Sequence, residues 1–304
     1  MVTLSAAADE VRRDAARSYV PKRKWTIGRI IGKILFWALI VFLFFYTLAP
    51  YVWAFLSSVR PNIDNGKFPV EYWPSHFTWE HYQYVFSGDS GFLKALRNSA
   101  IVSAVVVLIS LVFGASASYA LGRLRFRGRS VALYTILSMT MFPAIAILGT
   151  LFQVIRQTHT YDTLWALIFS YLIFTLPFTV RTLTNFFRAM PGELEESALV
   201  DGASPFRAFW QILLPLALPG LVTTGLLAFI NAWNEYLFAL TFTNTDRART
   251  APPVIANFSG ATQYDVPWGE IMAASVTVTL PLIVLVLIFQ RLIIGGLTAG
   301  AVKG

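Results

Sequence analysis

Cysteine is absent from the 304 residues, which excludes disulfides, thiolate chemistry and cysteine–zinc sites. Charge is scarce. Asp, Glu, Lys and Arg make up 13% of the chain, against roughly 25% in a soluble globule. So few charges do not cover a water-facing surface. With 56% hydrophobic residues, the chain reads as an all-α integral membrane protein. The G-x-x-x-x-G-K-S/T phosphate loop is missing. No Ser/His/Asp or paired-carboxylate arrangement stands out, which argues against an enzyme. The apolar runs hold no dense set of carboxylates, which weakens an ion-coupled carrier. His76, His81 and His159 form no metal-ligand pattern, so all three are expected in solvent and no metal site is expected. The net charge of +8 raises the question of nucleic acid. The basic residues flank apolar runs instead of forming one stripe, so a nucleic-acid partner is not expected.

Long uncharged runs are what the chain has in abundance. They cover 34–59, 98–122, 130–155, 163–180, 208–234 and 271–290. Each is near or above the roughly 18 residues of a spanning helix. Only helices or closed barrels satisfy the backbone in lipid, and unbroken apolarity without period-two alternation excludes the barrel. About six transmembrane helices are therefore predicted. Residues 1–33 carry Arg12, Arg13, Arg17, Lys22, Arg23, Lys24, Arg29 and Lys33 and read as a cytoplasmic tail. A cleaved signal peptide is not expected, because the apolar run starts late and is too long. Lys and Arg recur at Arg123–Arg129, around Arg181–Arg207 and at the C-terminus, and are sparser in the alternate loops. The positive-inside rule then places both termini and the 188–215 loop in the cytoplasm.

Ser110, Gly114, Ser118 and Gly122, spaced by four, form a small-residue ridge that suits close helix packing. Pro143 and Pro177 are expected to interrupt the third and fourth helices. The 60–97 segment, with Trp73, Trp79, Tyr82 and Tyr84, reads as an aromatic belt or a small extracytoplasmic cap. Asn231, Asn234 and Glu235 share one helix face by the i, i+3, i+4 rule. Two readings stand: they line a path across the membrane, or they hold helices together. The 243–269 loop, with Asn257, Phe258, Ser259 and Gln263, is long enough for a contact loop, the alternative being a passive connector.

The most polar stretch between apolar runs is 190–205. Pro191 suits a first helical turn, and Glu193, Glu195 and Glu196 sit at the positive end of the helix dipole. Asp201-Gly202 stops that helix, and Ser204-Pro205 opens another as N-cap and first residue. Glu196-Ser197-Ala198, three residues, Gly202, nine residues, Ile212, one residue and Leu214-Pro215 resembles the EAA loop of ABC-importer permeases. Serine stands at 197 where that family usually has alanine. Tyr119–Arg123 and Phe126–Arg129 resemble the family's helix–loop junction. Trp233-Asn234-Glu235 resembles a helix of sugar-importer permeases, and 296–304 the ending of maltose-type permeases.

The resemblance runs from about 34 to 304 and implies a permease subunit of a bacterial carbohydrate importer of the maltose/trehalose type. The implied fold is the type I importer fold, a five-helix core plus an N-terminal helix that packs on a partner. Implied partners are a second permease subunit, two ATPase subunits that carry the ATP and Mg, an extracytoplasmic sugar-binding protein or lipoprotein, and the bilayer. No cofactor is expected on this chain. The resemblance assigns Glu193, Glu195, Glu196, Ser197, Ala198, Asp201, Gly202 and Ala203 to the ATPase contact. It assigns Asn257, Phe258, Ser259 and Gln263 to the binding protein, and Gly300 and Lys303 in the 295–304 tail to the ATPase interface. A homodimeric permease for another solute, or an ion-coupled carrier, is the alternative.

Overall fold

A computed structural model describes residues 27–65, 68–69, 72–258 and 266–299. Most of the basic tail, together with Ser259, Gln263, Gly300 and Lys303, lies outside the described residues. The described residues form helices and loops, without strands.

The described residues up to Val52 form one compact unit and those from Trp53 onward another. The first unit is the greater part of helix α1 (Ile27–Ser58), which contains Pro50. Phe36, Trp37, Phe42 and Phe45 are exposed on it. A lone helix of this length and apolarity suits lipid or another protein as its surroundings.

The second unit holds α2 (Asn62–Asn65), α3 (Glu80–Phe86), α4 (Phe92–Gly122), α5 (Arg129–Thr140), α6 (Ala144–Gln157), α7 (Leu164–Ala189) and α8 (Glu193–Val200). There follow α9 (Pro205–Leu216, with a π turn at Phe209–Leu213), α10 (Leu218–Trp233), α11 (Leu237–Phe242), α12 (Ala251–Ala256) and α13 (Trp268–Ala299). Among the described residues α1, α4, α7 and α13 are long and apolar enough to cross a membrane. The pairs α5–α6 and α9–α10 bend by 95° and 73°, and counting each as one span brings the number to six.

Proline explains both bends. Pro143 lies in extended backbone just before α6, and Pro219 sits in the first turn of α10, where its missing N–H costs nothing. The interruption expected at Pro177 does not occur, and α7 runs through it. One lost backbone bond in a helix packed on several sides is tolerated.

The centre is the α4–α7 pair, and the small-residue ridge is what brings it together. A Cβ on Gly114 would stand 2.6 Å from Thr179 Cγ2, and one on Gly122 would stand 3.2 Å from Phe187 Cβ. Between them, Ser118 Oγ donates to the Val180 carbonyl at 2.9 Å. Three apolar clusters surround this seam. Val102, Leu167, Tyr171 and Phe242 fill the middle. Tyr119, Leu183, Phe187, Phe209 and Leu213 fill the end toward α8 and α9. Val85, Phe92, Ala251 and Ala274 fill the opposite end.

His81 corrects an expectation, because it is buried, not solvated. Nε2 lies 2.8 Å from the Arg60 carbonyl and Nδ1 lies 3.2 Å from Glu270 Oε1. The carbonyl accepts from Nε2, and the carboxylate beside Nδ1 favours the imidazolium by its charge, without an aligned hydrogen bond at that nitrogen. Asn62 Nδ2 donates to the same carboxylate at 3.0 Å, and Gly269 N donates to Asn62 Oδ1. Gly269 packs so tightly on the imidazole that no Cβ fits there. His76 and His159 are exposed as expected. Trp73 and Trp79 are exposed, as a belt requires, while Tyr82 packs into a cap that closes on α13.

Two measurements follow. Gly114→Val should separate α4 from α7 and lower stability by about 1–3 kcal/mol, read as an earlier thermal transition of the purified protein. An unchanged transition would show that the seam is loose. Burial alone would lower the His81 pKa, but Glu270, the Arg60 carbonyl and Glu80 outweigh it and hold it above 6.5. A raised folded-state pKa gives stability that is present below the ordinary value and lost as pH rises through the raised one. The stability gap between wild type and His81→Gln should therefore narrow as pH increases across that range. A gap independent of pH would rule out the imidazolium.

Candidate functional site

The 190–205 stretch folds as a helical elbow. Helix α8 starts at Glu193, two residues later than Pro191 suggests, with Glu195 N and Glu196 N both bonded to Gly192 O. Its three first-turn carboxylates complement the helix dipole. The C-terminus closes with Ala203 N on Ala198 O at 2.9 Å and Gly202 N on Leu199 O at 3.1 Å. This pair of bonds requires a left-handed residue at 202, and Gly202 has φ +83°. Ser204 then caps α9, its side chain accepting from Arg207 N, with Pro205 in the first turn.

The elbow is braced from α4. Tyr119 Oη donates to Glu195 Oε1 at 2.7 Å and lies 3.4 Å from the Pro205 carbonyl, so one hydroxyl reaches both arms. Its ring stacks on Phe209 at 4.8 Å. Arg123 places Nε 3.5 Å from Glu195 Oε2 and donates from Nη2 to the Pro191 carbonyl at 2.8 Å. Arg129 closes the end of α4 by donating to the Leu121 and Gly122 carbonyls.

This arrangement sorts the eight expected contact residues. Glu195 and Ala198 turn inward and Ala203 is half-buried, whereas Glu193, Glu196, Ser197, Asp201 and Gly202 remain exposed. Sequence reasoning missed the apolar part of the outer surface. Val200 is 87% exposed, Phe206 72% and Leu199 43%. Large apolar residues inside so polar a stretch were the available signal. Tyr119 and Arg123 were quoted for resemblance alone, and nothing local indicated that they meet a residue some seventy positions on.

The comparisons with known proteins bear on this site. Residues 107–298 match the family model described as "Binding-protein-dependent transport system inner membrane component". The chain belongs to this family. Known proteins are similar to it over nearly their whole length. The trehalose transport system permease protein SugB of Mycobacterium tuberculosis is 44% identical over 85% of this chain and 93% of that protein. The trehalose/maltose transport system permease protein MalG of Thermococcus litoralis is 39% identical over 90% and 96%. A crystal structure of a bacterial ABC transporter involved in alginate import matches with a TM-score of 0.74, covering 89% of this chain and 99% of that chain. At 22% identity, that likeness concerns the fold. The permease is thus a multi-pass membrane protein with an importer-permease fold.

The remaining expected sites differ in how they are built. Glu235 does not share the helix face expected of it with Asn231 and Asn234. Helix α10 ends at Trp233, and Asn234 is its C-cap, bonding back to Ile230 O. Glu235 instead caps α11, accepting from Phe238 N at 2.8 Å and Ala239 N at 3.0 Å. The described part of the 243–269 loop is firmly held. Asp162, at φ +58°, accepts from Asn244 N, Thr245 N and Thr245 Oγ1. The buried Asn98 amide donates to the Asp246, Arg247 and Arg249 carbonyls. Asn257 caps α12 and bonds Pro253 O, and Phe258 meets Tyr84 edge-on.

Removing one hydroxyl tests the brace. Tyr119→Phe should cost about 1.5–3 kcal/mol, since it deletes a hydrogen bond to a charged, largely enclosed carboxylate. Proteolysis between Gly192 and Pro205 should speed up in the variant. Equal cleavage rates would mean that the elbow is held by other contacts.

Proposed function

We propose that this chain is one of two permease subunits of an ATP-driven carbohydrate importer in the bacterial cell membrane. The observation that carries the reading is the elbow itself. It is stiffened inward through Tyr119, Arg123 and Glu195, and it offers an outward surface that is both acidic and apolar. That surface suits a cleft on a separate ATPase subunit, as the missing phosphate loop requires. Glu193, Glu196 and Asp201 would supply polar contacts, with Ser197 beside them. Leu199, Val200 and Phe206 would supply apolar ones. Gly202 makes the turn, and Ala198 lets α8 lie close to the core. The distribution of Lys and Arg supports a cytoplasmic elbow and cytoplasmic termini.

Closure of two ATPase subunits would move the elbow as a rigid body. The motion would pass into α4 at Tyr119 and Arg123, into α7 through the Gly114–Gly122 seam, and from α10 to α13, where Trp233 Nε1 donates to Val278 O. An apolar groove of about 470 Å³ between α4, α9, α10 and α13, lined by Leu111, Trp210, Leu221, Phe229 and Phe289 among others, suits a helix of the second permease. Asn231 and Asn234, exposed at the end of α10, would face the sugar path, with Glu235 fixing the turn beyond them. The anchored loop ending at Asn257 and Phe258 would present a contact surface to an extracytoplasmic binding protein. The names of the relatives point to trehalose and maltose as the sugar class.

Gly202→Val puts a β-branched residue at positive φ, a strain of about 1–2 kcal/mol placed where the elbow turns. In proteoliposomes carrying the whole complex, ATP-dependent sugar uptake should fall about five- to thirtyfold, in line with that strain. ATPase subunits should also co-purify less well. Uptake at the wild-type rate would contradict the assignment.

A further inference from the structure

The end of α7 nearest the elbow carries a feature that the coupling role does not use. Arg181, Asn185 and Arg188 fall on one face of the helix, at spacings of four and three. With Ser130, Tyr134 and Leu137 of α5 they line a cavity of about 460 Å³. A second recess of about 350 Å³, containing Arg125 and Arg129, adjoins it at Ser130. Neither lining includes a carboxylate. Between Asp89 and Glu193 the only acidic residue is Asp162. It is engaged with Asn244 and Thr245 and lies some 19 residues before Arg181, roughly 28 Å along the helix. Among the described residues Arg181 and Arg188 make no salt bridge, unlike Arg123. The stem of Arg188 does have a fixed place, its Cγ lying beside Gly122.

We propose that this cavity binds the phosphate headgroup of an anionic phospholipid. Two guanidinium groups on one helix face match phosphate oxygens geometrically. The Asn185 amide and the hydroxyls of Ser130 and Tyr134 can satisfy a glycerol headgroup. Basic pockets between transmembrane helices are a recurrent form of lipid recognition. The rim distinguishes a lipid from a free phosphate. Val131 and Tyr134 are 69% and 72% exposed, an apolar border that acyl chains would cover and a soluble anion would leave in water. The proposal requires only that α5 and α7 sit in a bilayer, and it stands apart from the ATPase contact.

The test uses the complete transporter complex, purified and mixed with phosphatidylglycerol or phosphatidylcholine, with retained lipid counted by native mass spectrometry. Phosphatidylglycerol should be retained about thirtyfold more than phosphatidylcholine, as expected for two arginines at a lipid headgroup. The Arg181→Gln/Arg188→Gln pair should lose that preference, and millimolar inorganic phosphate should not displace the lipid. Equal retention of both lipids, or an undiminished preference in the variant, would overturn the site. Displacement by phosphate would show a soluble anion site and overturn the lipid reading. In the wild-type complex, a photoreactive phosphatidylglycerol should label α5 or the last two turns of α7. Labelling elsewhere only would also overturn the proposal.

Discussion

Helix α4 lays its glycine backbone directly against side chains of helix α7, and the rest of the second unit depends on that contact. Ser110, Gly114, Ser118 and Gly122 are all buried along it. In lipid there is little hydrophobic gain from bringing two helices together, so close packing and hydrogen bonds must supply the attraction. Ser118 contributes such a bond to Val180, and the glycines remove the steric obstacle. Each end of α4 then does separate work. At one end, Asn98 and Ser99 hold the 246–251 segment. At the other, Tyr119 and Arg123 hold the elbow. A single helix thus joins a loop on one face of the membrane to a loop on the other.

Stiffness inside the elbow and openness outside it have different chemical origins. Inside, a charged carboxylate is enclosed with a phenol and a guanidinium, and leaving any one of them unpaired would be costly. Outside, Val200 and Phe206 keep apolar surface in contact with solvent, an arrangement that favours a partner. The coupling role proposed above would need both properties, since a floppy elbow would dissipate movement before it reached α4 and a fully polar one would hold a partner weakly.

The features legible from sequence were local ones. Apolar length revealed the spans, Gly202 and Ser204-Pro205 revealed the turn, and a four-residue spacing revealed the α4 ridge. Each depends on neighbours within a few positions. What escaped was pairing at long range. His81 reads as a solvated side chain until Glu270, 189 residues later, is placed beside it. Glu195 reads as one more exposed acid of α8 until Tyr119 arrives. Glu235 misled for another reason: helical spacing was extended past Trp233, where the chain turns and begins a new helix. An acidic residue followed at three and four positions by free backbone N–H groups is a capping signal, and it competes with the face-sharing rule over the same residues.

The polar groups at the two ends of the bundle are also used differently. On the side of α3 and α12, ionised and amide side chains mostly close on the chain itself: His81 on Glu270, Asp162 on Thr245, Asn98 on three carbonyls. On the side of the elbow, Glu193, Glu196, Asp201, Arg181 and Arg188 remain exposed. Self-closure fixes a loop in one shape. Charges left open on the other side carry no such internal function, and two of opposite sign lie close in sequence, Arg188 and Glu193. Their separation into a basic cavity between α5 and α7 and an acidic face on α8 keeps the two signs of charge apart at this end of the bundle, as two chemically different neighbours of the kind proposed above would require.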